Sequence, residues 1–170
     1  MFEIGEYVVY GTRGVCQVEK IGEVNMGEKG KLYYTLIPVY QFGSRIFTPV
    51  DSNKVIMRTV ISKKEAMKLI DDIENIETIW IIDEKTRELT YKEAVRKCDC
   101  RELVKIIKTL YVRKMFRIAE GKKVTANDEK YLKIAEDSLY GELAFPLEMD
   151  KNKVESFIIE QVRRSNKSNI

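Results

Sequence analysis

The chain has 170 residues, of which 44% are hydrophobic, enough to bury the core of one mid-sized domain or two small ones without metals or disulfides. Because 30 lysines and arginines stand against 27 aspartates and glutamates, the net charge of +3 excludes a wholly basic nucleic-acid coat protein of the histone kind. No apolar run approaches the roughly 18 residues that a membrane-spanning helix needs, and the N-terminus lacks the pattern of a signal peptide, so we expect a cytoplasmic protein without a membrane partner.

Short strands are predicted over residues 1–60. Seven of the nine glycines fall within the first 43 residues, so turns are frequent there and rare afterwards. Five runs rich in β-branched and aromatic residues lie between these glycines or just after them: 7–10, 15–18, 32–37, 45–50 and 55–57. This spacing predicts a small, bent antiparallel barrel or half-barrel, with residues 24–31 as a mobile hairpin tip.

Helices are predicted over residues 61–164. Three segments, 62–65, 90–93 and 99–102, place a capping side chain three residues before a glutamate, the pattern of a helix start. Apolar residues recur at helical spacing over residues 103–110, 132–143 and 154–162, and with the helix starts this indicates four or five helices packed together. The fold class is therefore α+β, with a β-rich N-terminal domain and an all-α C-terminal domain.

The sequence also predicts where helices end and which residues fill the core of the helical part. Gly121 and the Phe145-Pro146 pair are expected to end helices, and residues 165–170 read as a flexible polar tail. Met67, Met115, Cys98 and Cys100 are expected to fill the core.

Charge is unevenly distributed along the helical part. Residues 64–84 hold 2 basic and 7 acidic side chains, whereas residues 85–123 hold 13 basic and 5 acidic ones. The second block is the best candidate for a phosphate-binding surface, because a few well-placed lysines and arginines give salt-sensitive affinity for a duplex. The alternative is a pair of solvated helix faces, since long basic side chains commonly just cover helix surfaces.

Trp80, the only tryptophan, stands near the junction of the two charged blocks. Burial in a helical core is one interpretation, because isoleucines flank it on both sides. The other is exposure beside a basic face, where an aromatic ring can wedge against an unstacked base pair.

Motifs of catalysis are missing from the sequence. The chain contains no histidine, which removes Ser-His and Cys-His nucleophile pairs and His-ligated zinc. It also contains no Walker loop, dinucleotide fingerprint, paired C-x-x-C or calcium loop. Its three cysteines cannot pair completely, which fits a reducing compartment. Carboxylate or lysine catalysis stays possible, but we expect no enzyme, no metal and no cofactor.

Several segments together resemble the CarD/CdnL family of bacterial transcription regulators. They are the opening at residues 5–15, Tyr33-Tyr34, the strand ending Thr48-Pro49-Val50, and residues 99–111 and 139–144. The opening alone is also similar to a module of the transcription-repair coupling factor, but the helical part of this chain carries no helicase motifs. The likeness spans nearly the whole chain.

The resemblance implies a Tudor-like N-terminal domain that grips the β subunit of RNA polymerase. It also implies a helical domain that touches promoter DNA, largely without sequence preference, at the upstream edge of the melted region. For the polymerase contact we predict strand addition at Arg45, Ile46, Phe47, Thr48 and Pro49. Tyr34, Leu36 and Phe47 are equally consistent with barrel core.

For the DNA contact the resemblance assigns the wedge to Trp80, with basic residues close behind it on phosphates. We predict Lys85, Arg87, Lys92 and Arg96 for that role; here Asp83 and Glu84 separate Trp80 from them. The function expected is stabilisation of the promoter open complex. The alternative is a protein-protein adaptor that binds polymerase or another assembly without touching DNA. A monomer is expected, although the sequence leaves the oligomeric state open.

Overall fold

The computed structural model describes residues 1–168, which divide into two compact units, Met1–Val60 and the chain from Ile61 onward. The first unit is a sheet of five strands: β1 Tyr7–Tyr10, β2 Val15–Gly22, β3 Tyr33–Pro38, β4 Ile46–Pro49 and β5 Met57–Thr59. Their order in space is β4-β3-β2-β1-β5, and every pairing is antiparallel. The strands β4 and β5 are therefore the two edges of the sheet.

A small core lies on one face of this sheet. It consists of Val8, Cys16, Val18, Tyr34 and Leu36, all at most 3% exposed. Cross-strand pairing places Val8 opposite Cys16 and Val18 opposite Leu36, so alternate side chains of adjacent strands pack on the same face. Tyr34 and Leu36 are thus core residues, one of the two possibilities that the sequence left open.

The last strand begins later than the sequence predicted. The run 55–57 was expected to be the strand, but β5 covers Met57–Thr59, with Met57 opposite Tyr10. Residues 55 and 56 instead lie beside the turn at Gly11, and the Gly11 backbone N–H donates a hydrogen bond to the Ile56 carbonyl. The φ of Gly11 is +48°, and a Cβ there would lie 2.6 Å from a methyl carbon of Val55, so the turn requires glycine.

The second unit contains five helices: α1 Lys63–Asp71, α2 Glu84–Lys97, α3 Cys100–Ala119, α4 Ala126–Ala144 and α5 Val154–Ser168. Ser62 and Asp99 cap α1 and α3 as predicted. Thr90 does not begin a helix: it lies inside α2, where its hydroxyl donates to the Thr86 carbonyl, and Asp83 is the true cap. The predicted α+β class is confirmed.

The helix ends follow the sequence signals with one difference. Gly121, at φ +72°, follows the end of α3, and α4 ends just before Phe145. The predicted tail, residues 165–170, begins inside α5, which continues to Ser168; residues 169 and 170 lie outside the described part of the chain. Across residues 1–168, no helix is long and apolar enough to cross a membrane.

Replacing Ser62 by alanine should lower the free energy of unfolding by about 1 kcal/mol. The Ser62 hydroxyl accepts a hydrogen bond from the Glu65 backbone at 3.2 Å, while the Glu65 carboxylate accepts one from the Ser62 backbone at 2.8 Å. The measurement is urea unfolding followed by far-UV circular dichroism. Ser44→Ala, in an exposed loop of the first unit, is the control and should leave the midpoint unchanged.

Candidate functional site

The segment that carries Trp80 lies along helix α3, between α1 and α2. The Lys108 ammonium donates to the carbonyls of Ile73, Glu74 and Ile76 at 2.8, 3.2 and 2.6 Å. At the next residue of α3, the Thr109 hydroxyl accepts a hydrogen bond from the Ile79 backbone N–H at 3.0 Å. Two polar side chains of α3 therefore fix the path of the chain up to the residue before Trp80.

A second set of bonds fixes the chain after Trp80. The Arg87 guanidinium donates to the carbonyls of Ile81 and Ile82 at 3.0 and 2.9 Å. The Asp83 carboxylate caps α2, and its hydrogen bonds from the Thr86 side chain and backbone lower the pKa of Asp83. Arg87, expected to contact phosphate, thus directs one end of its guanidinium back at this loop.

The indole of Trp80 is 56% exposed, so its burial in a helical core, one of the two interpretations, is wrong. Its ring lies edge-to-face against Phe116, with centroids 5.5 Å apart and planes at 75°. Phe116 is itself 52% exposed. The helical unit therefore presents a half-exposed aromatic pair, in which Trp80 comes from a loop whose backbone is held on both sides and Phe116 comes from α3.

Three of the predicted phosphate contacts share one face of α2. Lys85, Lys92 and Arg96 are spaced seven and four residues apart, which places them on a single helical stripe, and all three are exposed. We call this set the α2 stripe. No ion pair or hydrogen bond joins their side chains to another residue within 1–168. The stripe covers about 16 Å of helix, at 1.5 Å per residue.

Other basic side chains of residues 85–123 already have partners within the helical unit. Arg101 pairs with Asp72 at 2.5 Å, Arg113 with Asp128 at 2.6 Å, and Lys122 with Glu120 at 3.1 Å. The Arg117 guanidinium donates to the Lys123 carbonyl at 2.7 Å. Arg113 and Lys108 thus serve the packing of the helices, whereas Arg101 and Lys122 form exposed surface pairs. The charge excess therefore overstates the number of unpaired side chains available to phosphate.

In the first unit, the predicted polymerase-binding residues lie on or beside the edge strand β4. Thr48 is buried and Ile46 packs against the core, whereas Phe47, opposite Thr35, is 54% exposed. Arg45, just before the strand, makes a two-bond ion pair with Glu19 at 2.8 and 2.9 Å, which lowers the pKa of Glu19. Phe47 is therefore outside the core, the other possibility that the sequence left open.

The family comparison concerns this unit. Residues 2–61 match the family described as CarD-like/TRCF RID domain. The first unit is a CarD-like domain. The predicted resemblance is thereby confirmed over residues 2–61, which give the chain an RNA polymerase-interacting domain and a role in transcription. The CarD-like domain family is non-enzymatic. No curated protein matches the chain.

A groove lies on the outer face of the CarD-like domain, next to β4. Its volume is about 640 Å³, and its walls include Val24 and the fully exposed Met26 from the loop after β2, together with Tyr33 and Phe47. The Arg45–Glu19 pair contributes its polar side. An exposed edge and an adjoining apolar groove are the features that an added strand needs.

The exposed apolar face of α3 was missed in the sequence. Val112, Met115 and Phe116 are 49%, 63% and 52% exposed, so the expectation that Met115 fills the core is wrong. The signal was present: these three positions fall on the side of α3 opposite the buried Leu103 and Leu110. Cys98 and Cys100 are buried as expected, and Met67 packs against the core.

Proposed function

We propose that this CarD-like protein regulates transcription initiation by stabilising the promoter open complex. The CarD-like domain binds the β subunit of RNA polymerase, and the helical unit contacts DNA at the upstream edge of the bubble. The observation that carries the proposal is the half-exposed Trp80. It lies on a loop held by hydrogen bonds on both sides, in the same unit as the α2 stripe. The protein would act in the cytoplasm, where polymerase works.

Trp80 supplies the apolar wedge. Proteins that hold DNA in a distorted state commonly insert an apolar side chain between base steps, at a cost of a few kcal/mol in unstacking. At the edge of a bubble the neighbouring pair is already open, so this cost is reduced. The hydrogen bonds that hold the loop on both sides of Trp80 support this role, because a residue that is ordered before binding loses less entropy when it contacts the DNA.

The α2 stripe supplies contacts to the DNA backbone. Lys85, Lys92 and Arg96 can each approach a phosphate without first breaking a bond within the protein. Phosphate contacts carry no sequence information, so the binding is largely independent of promoter sequence. Their weakness is offset because the polymerase-bound domain keeps the helical unit at high effective concentration near the DNA.

The edge strand β4 supplies the polymerase contact. Main-chain groups of an edge strand can pair with an extended segment of a partner, while the alternating outward side chains of Phe47 and Arg45 give specificity. The regulator then acts without chemistry of its own. Binding the open complex about 1.4 kcal/mol more tightly than the closed one shifts that equilibrium tenfold.

Removing the α2 stripe should flatten the salt dependence of DNA binding. In Lys85→Ala/Lys92→Ala/Arg96→Ala, the slope of log K against log salt should fall by about 0.9 for each phosphate that the protein no longer neutralises. The measurement is titration of the full chain onto forked DNA at several salt concentrations. Lys63→Ala/Lys64→Ala/Arg163→Ala removes the same charge from exposed sites elsewhere and should keep the original slope. Equal slopes for the two triple variants would contradict the assignment.

Phe47→Glu should weaken binding to RNA polymerase about fivefold. The substitution puts a charge where a half-exposed ring would be covered by the partner, at a loss of about 1 kcal/mol. Binding to core polymerase by surface plasmon resonance measures the effect. Phe42→Glu, at a position 98% exposed in the turn before β4, is the matched control. Unchanged affinity in Phe47→Glu would move the polymerase contact away from β4.

A protein-protein adaptor is the second candidate function. The exposed residues Val112 and Met115 on α3 favour it, because an apolar helix face is a common docking surface for another protein. The adaptor would bind polymerase equally well but would show no salt-dependent affinity for forked DNA. The salt titration above therefore separates the two functions.

A further inference from the structure

We propose that Phe116 is a positioning residue for the DNA wedge: its ring backs the indole of Trp80 and holds it in the orientation that meets the DNA. The inference rests on the proposed function, in which Trp80 contacts DNA. It adds a residue from α3 to a site otherwise built from the loop before α2 and from α2 itself.

Trp80 needs such a support because of where it lies. It belongs to no helix or strand, since the turn after α1 ends at Asn75 and α2 begins at Glu84. The hydrogen bond that Thr109 accepts from Ile79 and the one that Arg87 donates to Ile81 fix its neighbours' backbone groups and leave the dihedral angles of the indole side chain free. Among the described rings, Phe116 is the one that packs against it, at 5.5 Å and 75°.

Packing into a hydrophobic core does not explain the position of the Phe116 ring. Its side chain is 52% exposed and belongs to neither hydrophobic core nor to the residues packed around them. An edge-to-face aromatic pair is a directional contact, which aligns two rings more strictly than aliphatic packing does. The rest of the exposed indole surface stays available to a base.

Trp80 makes the first test direct, because it is the only tryptophan and its fluorescence reports on this site alone. In the free full-length protein, Phe116→Ala should shift the emission to longer wavelength and lower the anisotropy. Phe116→Tyr, which keeps the ring, should preserve both. Ile118→Ala is the matched control, because Ile118 has the same 52% exposure and, two residues further along α3, lies about 200° around the helix from Phe116. Circular dichroism checks that each variant is folded.

The second test is a double-mutant cycle on the lifetime of promoter open complexes. Phe116→Ala should shorten the lifetime about two- to tenfold when Trp80 is present and should have no effect in the Trp80→Ala background. Equal shortening in both backgrounds, or no shortening with Trp80 present, would overturn the inference while leaving the proposed function intact. If Trp80→Ala itself has no effect, the wedge role of Trp80 fails and the inference fails with it, whereas the lengthening of the lifetime by the unmodified protein still tests the regulator.

Discussion

Trp80→Ala should shorten the lifetime of promoter open complexes about tenfold relative to the unmodified protein. Contact between an aromatic side chain and a base contributes about 1–3 kcal/mol, and the lower part of this range applies because Phe116 already covers part of the indole. Because the contact forms only when the DNA is open, its removal should speed the collapse of the bubble. Lifetimes are measured by competitor challenge of complexes made with the cognate polymerase.

Two controls make this result specific. Ile82→Ala removes an apolar side chain that is 87% exposed, two residues from Trp80, and should leave the lifetime unchanged. Binding of Trp80→Ala to polymerase should also be unchanged, since the CarD-like domain is intact. Equal lengthening of the lifetime by the unmodified protein and by Trp80→Ala would support the role in stabilising the open complex and contradict the DNA contact of Trp80. No lengthening by either would favour the adaptor.

Asp128→Ala should lower the free energy of unfolding of the helical unit by about 3–5 kcal/mol. The Asp128 carboxylate accepts a hydrogen bond of 2.6 Å from Arg113, and the two side chains are only 6% and 14% exposed. Removing one partner leaves a buried guanidinium charge without compensation, which is costlier than the loss of the bond itself. The pair also joins α3 to the first turn of α4, so its removal loosens the packing of two helices. Urea unfolding followed by far-UV circular dichroism gives the value.

Asp137→Ala is the matched control on the same helix. Its ion pair with Lys151 is 3.1 Å long, but the Asp137 side chain is 55% exposed, so the decrease in stability should stay below about 1 kcal/mol. Adding Arg113→Met to Asp128→Ala should recover part of the stability, because the unpaired charge is then gone. A cost for Asp128→Ala no larger than that of Asp137→Ala would mean that water reaches Arg113.

Much of the fold could be predicted because its signals are local. A capping serine or aspartate acts within four residues, a glycine ends a helix by its own φ, and β-branched runs mark strands. The predictions failed where the same local sequence pattern is compatible with two structures. Thr90 fits a helix start, yet its hydroxyl is satisfied equally well by the Thr86 carbonyl inside α2.

The site was harder to predict because it depends on contacts between distant residues. Trp80 could be recognised, but its neighbour Phe116 comes from another helix. Arg87, Lys108 and Arg113 count as surface charge in the sequence, although two of them donate to backbone carbonyls and the third pairs with a buried carboxylate. Lys85, Lys92 and Arg96 kept their predicted exposure because helical spacing alone places them on one face.

The two hydrophobic cores share no residue, and this has a thermodynamic consequence. Each core can lose its packing at its own temperature, so the chain need not unfold in a single cooperative step. Tryptophan emission follows only the helical unit, because Trp80 is the only tryptophan, whereas tyrosines lie in both units. A melting curve recorded by tryptophan emission therefore describes the helical core, whereas one recorded by far-UV circular dichroism includes both units, and agreement between the two curves would measure how strongly the cores are coupled.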